Sequence, residues 1–231
     1  MTGADPKRPM FYGRRKGKPI RPGKQAAYDL LISEVGIPLP EGDGPIDPHA
    51  FFDGKYQQLW LEIGFGDGEQ ITYQAENNPG IGMIGCEPFL NGVSALCRNI
   101  QDKNLQNVRI FQNDARLLLP RLLPHSLDRC CLLNSDPWPK TRHHKRRFVQ
   151  EETLDMLHRL LKPGAEFRMS TDHASLAVWE LEKAYFHKGF RWNAHSATDW
   201  RTRPADMPIT RYQKKGAGQG RDTVFLSFTT I

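Results

Sequence analysis

The 231-residue sequence predicts an α/β fold: a mostly parallel sheet, helices on both faces, and an antiparallel hairpin at one edge. Three observations carry this. Short apolar runs alternate with segments whose apolar residues recur at helical spacing, the order expected when crossover helices join parallel strands. A glycine-rich turn, Gly64-Phe65-Gly66-Asp67-Gly68, connects the first such run to the helical segment after it. The last two runs have no long helical segment between them, which suits antiparallel neighbours.

The elements follow in order. Pro22 suits a helix start, and Ala27, Leu30, Leu31 and Val35 fall at helical spacing, so a helix is predicted over 23–35. Residues 36–54 are rich in Gly, Pro and Asp and read as a linker. Residues 58–63 form a first strand and 69–77 a helix stopped by Pro79. A second strand over 81–87 leads to a helix over 92–103, and a third strand over 108–112 to a Leu-rich segment at 117–123. The fourth strand, 127–133, ends at Asp136-Pro137-Trp138-Pro139. A helix over 148–161 closes at Pro163-Gly164, a fifth strand covers 166–170, and a helix covers 175–187. The late strands are 190–195 and 223–228.

Composition narrows the function. No apolar run approaches the ~18 residues of a membrane span, and the polar, basic N-terminus has no signal-peptide core, so a cytoplasmic protein is expected. Cys86, Cys97, Cys130 and Cys131 form no C-x-x-C pair, which argues against a metal or redox site. The net charge is +6, and residues 1–25 alone carry +7, leaving −1 for the rest. Residues 1–22 read as a flexible basic arm and 23–231 as a single domain. A basic arm, together with cations clustered at 140–147 and 211–221, points to a nucleic acid partner. No obligatory protein partner is expected; monomer and homodimer both stay open.

Four constellations carry chemistry. The turn Gly64, Gly66, Gly68 lets backbone amides approach a ligand and aims a helix N-terminus at it. Its spacing departs from the G-x-G-x-x-G dinucleotide fingerprint, because position 69 is Glu. Glu87, at the end of the second strand, is placed to accept both hydroxyls of a ribose. Asp114, followed by Ala115, suits either an adenine amine or a helix N-cap. Together with Glu62, these acids fall at the carboxyl ends of three successive strands, where open α/β sheets bind ligands. That order resembles the S-adenosylmethionine site of Rossmann-like methyltransferases. The fourth constellation is residues 132–147: Asp136 in a stiff Pro-Trp-Pro turn, then Lys140, Arg142, His143, His144, Lys145, Arg146 and Arg147.

From these residues the chain is identified as a member of the bacterial tRNA (guanine-N7)-methyltransferases. The similarity runs through Leu61-Glu62-Ile63-Gly64-Phe65-Gly66, Gly85-Cys86-Glu87, Gly92-Val93, Asp114-Ala115 and Asp136-Pro137-Trp138-Pro139-Lys140. It continues through Arg142-His143-His144-Lys145-Arg146-Arg147, Leu161-Lys162-Pro163-Gly164, Thr171-Asp172 and Thr210-Arg211-Tyr212, covering roughly 58–228. The resemblance implies S-adenosylmethionine as cofactor and tRNA as substrate, with a variable-loop guanine as target. It implies that Glu62, Glu87, Asp114 and Asp136 line the cofactor site and that Asp136 is catalytic. Lys140, Asp172, Thr210, Arg211, Tyr212 and Gln213 would contact substrate, and Arg142, Lys145 and Arg146 would add phosphate contacts. Two positions depart from the family pattern. Gln213 stands where most members have Glu, and Asn134-Ser135 where most have an aromatic and a proline.

Nitrogen-7 of guanine carries a free lone pair, so methylation there needs alignment and no general base. A fixed carboxylate would stabilise the positive charge that appears on the guanine. Asp136 suits this, and equally suits gripping the guanine's ring N–H and amine. Trp138 either stacks on an extruded base or packs beside the prolines. Three rivals remain. An exocyclic-amine nucleic acid methyltransferase usually has the aromatic after both prolines, whereas Trp138 lies between them. A nicotinamide oxidoreductase is disfavoured by Glu69. A non-enzymatic RNA-binding protein on the same fold is disfavoured by the intact acids.

Overall fold

A computed structural model describes residues 11–39 and 41–231. The elements are α1 (Pro22–Val35), β1 (Gln58–Ile63), α2 (Glu69–Asn77), β2 (Ile81–Cys86), α3 (Leu90–Lys103), β3 (Val108–Phe111) and β4 (Leu127–Leu133). Then come α4 (Glu151–Leu160), β5 (Leu161–Thr171), α5 (Ala174–Tyr185), β6 (Phe190–Trp192), α6 (Ala197–Arg201), α7 (Arg211–Ala217) and β7 (Val224–Thr230). The sheet has seven strands among the described residues, in the order β3-β2-β1-β4-β5-β7-β6. The first five are parallel, and β7 runs antiparallel to both β5 and β6.

Side chains alternate across the sheet, so its two faces support two cores. Leu59, Leu61 and Ile63 of β1 pack with Leu154, Leu157 and Leu160 of α4 and Ala184 of α5. Trp60, from the opposite face of β1, packs with Ala27, Val35, Ile71, Val93, Leu96 and Ile100 of α1, α2 and α3. The chain order reverses at β1, with β2 and β3 to one side and β4 to the other. A crevice opens there, above the carboxyl ends of the strands.

The differences from expectation have local causes. The helix expected over 148–161 starts only at Glu151, because Gln150 and Thr153 form a reciprocal capping box; ahead of it, Thr141–Arg146 is a 3-10 helix. Pro163-Gly164 does not separate helix from strand. β5 begins at Leu161, which pairs with Leu127 ahead of a register shift. The edge pair is not a tight hairpin. Residues 193–223, carrying α6 and α7, lie between its strands, and β7 inserts between β5 and β6. The linker contains a 3-10 turn, Pro48–Phe52, and its Ile37 N–H donates to the carbonyl of Ile110.

The expected flexible arm over 1–22 lies partly outside the described residues. Its residues 11–21 rest against the body. The Leu90 N–H donates to the Arg15 carbonyl (2.9 Å). Gly17 N–H donates to Asn91 Oδ1 (2.8 Å), whose amide donates to the Lys18 carbonyl (2.7 Å).

Candidate active site

The crevice holds a cavity of about 650 Å³. Its walls come from the end of β1 and the turn after it (Ile63, Gly64, Gly66), the end of β2 (Cys86, Glu87) and the segment after β3 (Asp114, Ala115, Arg116). The end of β4 closes the other side with Asn134, Ser135, Asp136 and Trp138.

Gly64 (φ 71°) and Gly66 (φ 54°) take left-handed backbone, and a Cβ at either would meet nothing within 4 Å. The turn therefore presents bare backbone to open space, as a ligand cradle requires. Beneath it, a Cβ at Gly92 would collide with the Gly66 carbonyl oxygen, so α3 approaches the turn as closely as glycine allows. Glu87 ties the two together. Its Oε2 accepts from Gly66 N–H and its Oε1 from Phe89 N–H, both at 2.9 Å. Burial raises its carboxyl, with Asp136 and Asp67 adding like-charge repulsion while the two amides oppose the rise. Each oxygen retains acceptor capacity for a hydroxyl.

Two expected cofactor residues are off the wall. Glu62 is buried outside the lining and its side chain makes no hydrogen bond among the described residues; burial, then Glu87, pushes its carboxyl up to about 8. Gly68 starts α2, and a Cβ there would press on Leu96. Asp114 lines the cavity but is engaged as a cap. It accepts from the Arg116 backbone N–H (3.0 Å) and from Arg116 Nη2 (2.6 Å).

The Asp136 turn is strained. Asn134 (φ 51°) and Trp138 (φ 41°) both occupy the left-handed region without being glycine, a conformation that persists where surroundings hold it. Asn134 N–H donates to the Ser170 carbonyl of β5 (2.7 Å). Asp136 itself has no hydrogen bond or ion pair among the described residues, and desolvation by its surroundings raises its carboxyl.

The basic run divides by role. Lys140, Arg142 and Lys145 are exposed and free of acid partners among the described residues. Arg146 lines the cavity, its guanidinium 4.4 Å from the Tyr12 ring centroid and 4.9 Å from that of Trp138. Arg147 is buried. Desolvation and the cations at 146, 142, 140 and 145 lower His143, which meets Trp138 edge-on. Among the described residues no group of three His, Cys, Asp or Glu gathers as for a metal, and no helix is long and apolar enough to cross a membrane.

The expected substrate segment makes internal contacts. Arg211 bonds Glu69 (2.6 Å) and Asp67 (2.8 Å), fastening α7 to the end of the glycine turn. Tyr212 Oη donates to Asp172 (3.1 Å), which also faces Arg221 (3.1 Å). Thr210 and Gln213 form a capping box. A glutamine supplies the needed acceptor as well as a glutamate does, which accounts for the departure at 213. Phe11, Tyr12, Gly13 and Arg14 also line the cavity. The aromatic pair inside a cation-rich arm was the signal for them.

Comparison with known proteins gives the class first. A family model described as "Putative methyltransferase" matches residues 56–226. Among solved structures, an aminoglycoside resistance methyltransferase aligns with TM-score 0.53 at 18% identity, covering 80% of this chain and 95% of that one. The 16S rRNA (adenine(1408)-N(1))-methyltransferase from Catenulisporales acidiphilia aligns with TM-score 0.52 at 15% identity, covering 84% and 98%. These share the fold. Sequence relatives are nearer. The tRNA (guanine-N(7)-)-methyltransferase of Ruegeria pomeroyi is 42% identical, covering 100% of this chain and 99% of its own length. That of Rhodospirillum rubrum is 42% identical, covering 94% and 86%. The chain belongs to the tRNA (guanine-N7)-methyltransferase family.

Membership implies S-adenosylmethionine as the methyl donor. The residues fit it. Bare backbone at Gly64 and Gly66 faces open space, Glu87 keeps acceptor capacity at the end of β2, and an unpaired carboxylate at 136 suits a cationic ligand.

Proposed function

We propose that this chain transfers a methyl group from S-adenosylmethionine to nitrogen-7 of a guanine in the variable loop of tRNA, with Asp136 as the side chain that meets the guanine. One observation carries the reading: Asp136 is a carboxylate without a partner among the described residues, on the wall of the cavity that holds the glycine turn. The donor supplies an activated methyl on a sulfonium. The protein aligns the nucleophile and balances the charge that arrives with the methyl. Asp136 balances it by facing the imidazole ring or by accepting from the ring N–H and amine. The second arrangement also selects guanine over adenine.

Glu87 takes the ribose hydroxyls and the turn's backbone takes the rest of the donor. The Asp114 cap borders the adenine side. Lys140, Arg142 and Lys145 neutralise tRNA phosphates, releasing counterions and offsetting the few kcal/mol needed to extract the base. Trp138, with Tyr12 and Arg146 beside it, offers the base an aromatic wall.

The test is nucleoside mass spectrometry of unmodified tRNA incubated with the protein and S-adenosylmethionine, followed by mapping of the modified position. Appearance of 7-methylguanosine in the variable loop supports the reading, and a methylated adenosine or cytidine overturns it. Replacing the target guanosine by inosine, which lacks the amine, separates the two roles of Asp136. Unchanged turnover favours charge balance alone.

A further inference from the structure

The residues on either side of Asp136 are both held from α5. Before it, Ser135 Oγ donates to Glu180 Oε1 at 3.1 Å. After it, the Pro137 carbonyl accepts from Arg147 Nε at 2.9 Å. Arg147 is in turn held at the start of α5, its Nη1 donating to the Ser175 carbonyl (3.1 Å) and its Nη2 to Ser175 Oγ (3.0 Å). Its guanidinium lies 5.3 Å from the Trp179 ring centroid. Glu180 is fully buried and Arg147 is 2% exposed. Buried charge-bearing side chains are costly, and removing a partner leaves an unsatisfied group. Neither residue lines the cavity.

We propose that Glu180 and Arg147 are positioning residues that clamp the Asp136 turn from both ends, so that α5 sets where the Asp136 carboxylate points. The proposal rests on the reading of Asp136 as the side chain that meets guanine. It also explains how this chain manages without a proline at 135. Ser135 forfeits the fixed backbone angle a proline would bring, and the Glu180 hydrogen bond restrains the same residue through its side chain. Left-handed backbone is tolerated by an asparagine such as Asn134, but a bulky residue such as Trp138 (φ 41°) needs such restraint, because nothing intrinsic to tryptophan favours it.

The chemistry of Glu180 gives the test its conservative variant. Burial pushes the carboxyl up to about 8, against the opposing Ser135 hydrogen bond and Arg147 charge. At neutral pH it is therefore mostly an uncharged acceptor, which glutamine reproduces. Its Oε2 has no partner among the described residues, so Glu180→Gln exchanges one unmatched O–H for an unmatched amide NH2, keeping the acceptor that Ser135 uses.

The experiment compares Ser135→Ala, Glu180→Ala, Glu180→Gln and the Ser135→Ala/Glu180→Ala pair in the full chain. It measures single-turnover methylation, donor Kd by calorimetry, and hydrogen–deuterium exchange of residues 132–140 without ligand. Ser135→Ala and Glu180→Ala each lower the rate about tenfold or more, with donor Kd within about twofold of wild type. Both speed exchange across the turn, Glu180→Gln stays close to wild type in every readout, and the pair is no worse than the poorer single variant.

Rates within about twofold of wild type for Ser135→Ala, with unchanged exchange, overturn the clamp. So does Glu180→Gln as impaired as Glu180→Ala, or multiplicative loss in the pair. If Glu180→Ala does not fold, Ser135→Ala and Glu180→Gln decide alone. A wild-type protein that forms no 7-methylguanosine, yet whose turn exchanges faster in Ser135→Ala, refutes the proposed reaction and leaves the clamp standing.

Discussion

The glycine wall of the cavity takes its backbone shape freely and is pinned from the neighbouring strand, whereas the Asp136 wall takes a costly shape and is held from elements remote in sequence. On the first wall, Gly64 and Gly66 adopt left-handed backbone at no steric cost, and Glu87, from the neighbouring strand, bonds the turn directly. On the second, two non-glycine residues take the same backbone region and depend on β5, Arg147 and α5. A wall built from backbone is precise and hard to tune. A wall built from side chains is adjustable, and every support is a site where turnover can be lost without touching the ligand.

This difference is open to attack, starting from the largest effect. Asp136→Ala should lower single-turnover methylation about 10²–10³-fold, the scale of losing one group that stabilises transition-state charge. Donor affinity should fall far less than the rate by calorimetry, because the glycine turn and Glu87 remain, and a parallel loss of binding would merge the two walls into one. Gly92→Ala should do the reverse. Its methyl group displaces the Gly66 carbonyl, so donor Kd should rise about tenfold or more, or about 1.4 kcal/mol, while the rate at saturating donor changes little.

Smaller effects sharpen the contrast. Glu62 holds a proton in the fold up to about pH 8 and releases it near 4.5 when unfolded. A carboxyl raised in this way makes stability fall as pH rises through that window and level off above it, by on the order of 1 kcal/mol per pH unit. Glu62→Gln should flatten that slope in urea unfolding between pH 5.5 and 8. The Glu180 contribution, of the same sign, would remain. An unchanged slope would show that Glu62 ionises freely. The paired change Arg142→Ala/Lys145→Ala should weaken tRNA binding and make log K less dependent on log salt, the slope falling by at most about one for each phosphate no longer neutralised. The smallest effect belongs to Gln213→Glu: either side chain completes the cap with Thr210, so Tm and rate should be nearly unchanged.

The glycine wall was also the legible one. The bounds of β1 and α2 followed from apolar patterning and from Pro79, and the glycine turn was visible by composition. Glu87 and Asp136 fell on the wall because strand ends put them there. What escaped reading lies far apart along the chain. Glu180 and Ser135 are separated by a strand and a helix, and nothing in the local pattern around 180 distinguishes it from a surface acid. Glu62 read as a wall residue, but strand alternation places it among the buried side chains. α7 was missed because its signal is a capping box at its start, not an apolar stripe. Helix α4 was read too long for the same reason, since its start depends on the Gln150 side chain.

Arg14, Arg15, Lys16 and Lys18 are exposed on the segment that contributes Phe11 and Tyr12 to the cavity. A trypsin-like protease thus finds preferred bonds after Arg14, Arg15 and Lys16, within a few residues of the ligand chamber, while Pro19 shields the bond after Lys18. A cut after Arg14 would remove one of the two rings flanking Arg146 and leave every strand in place. Such a shortened molecule would keep its sheet and lose part of its ligand chamber, so intact mass should be checked before any binding titration is read.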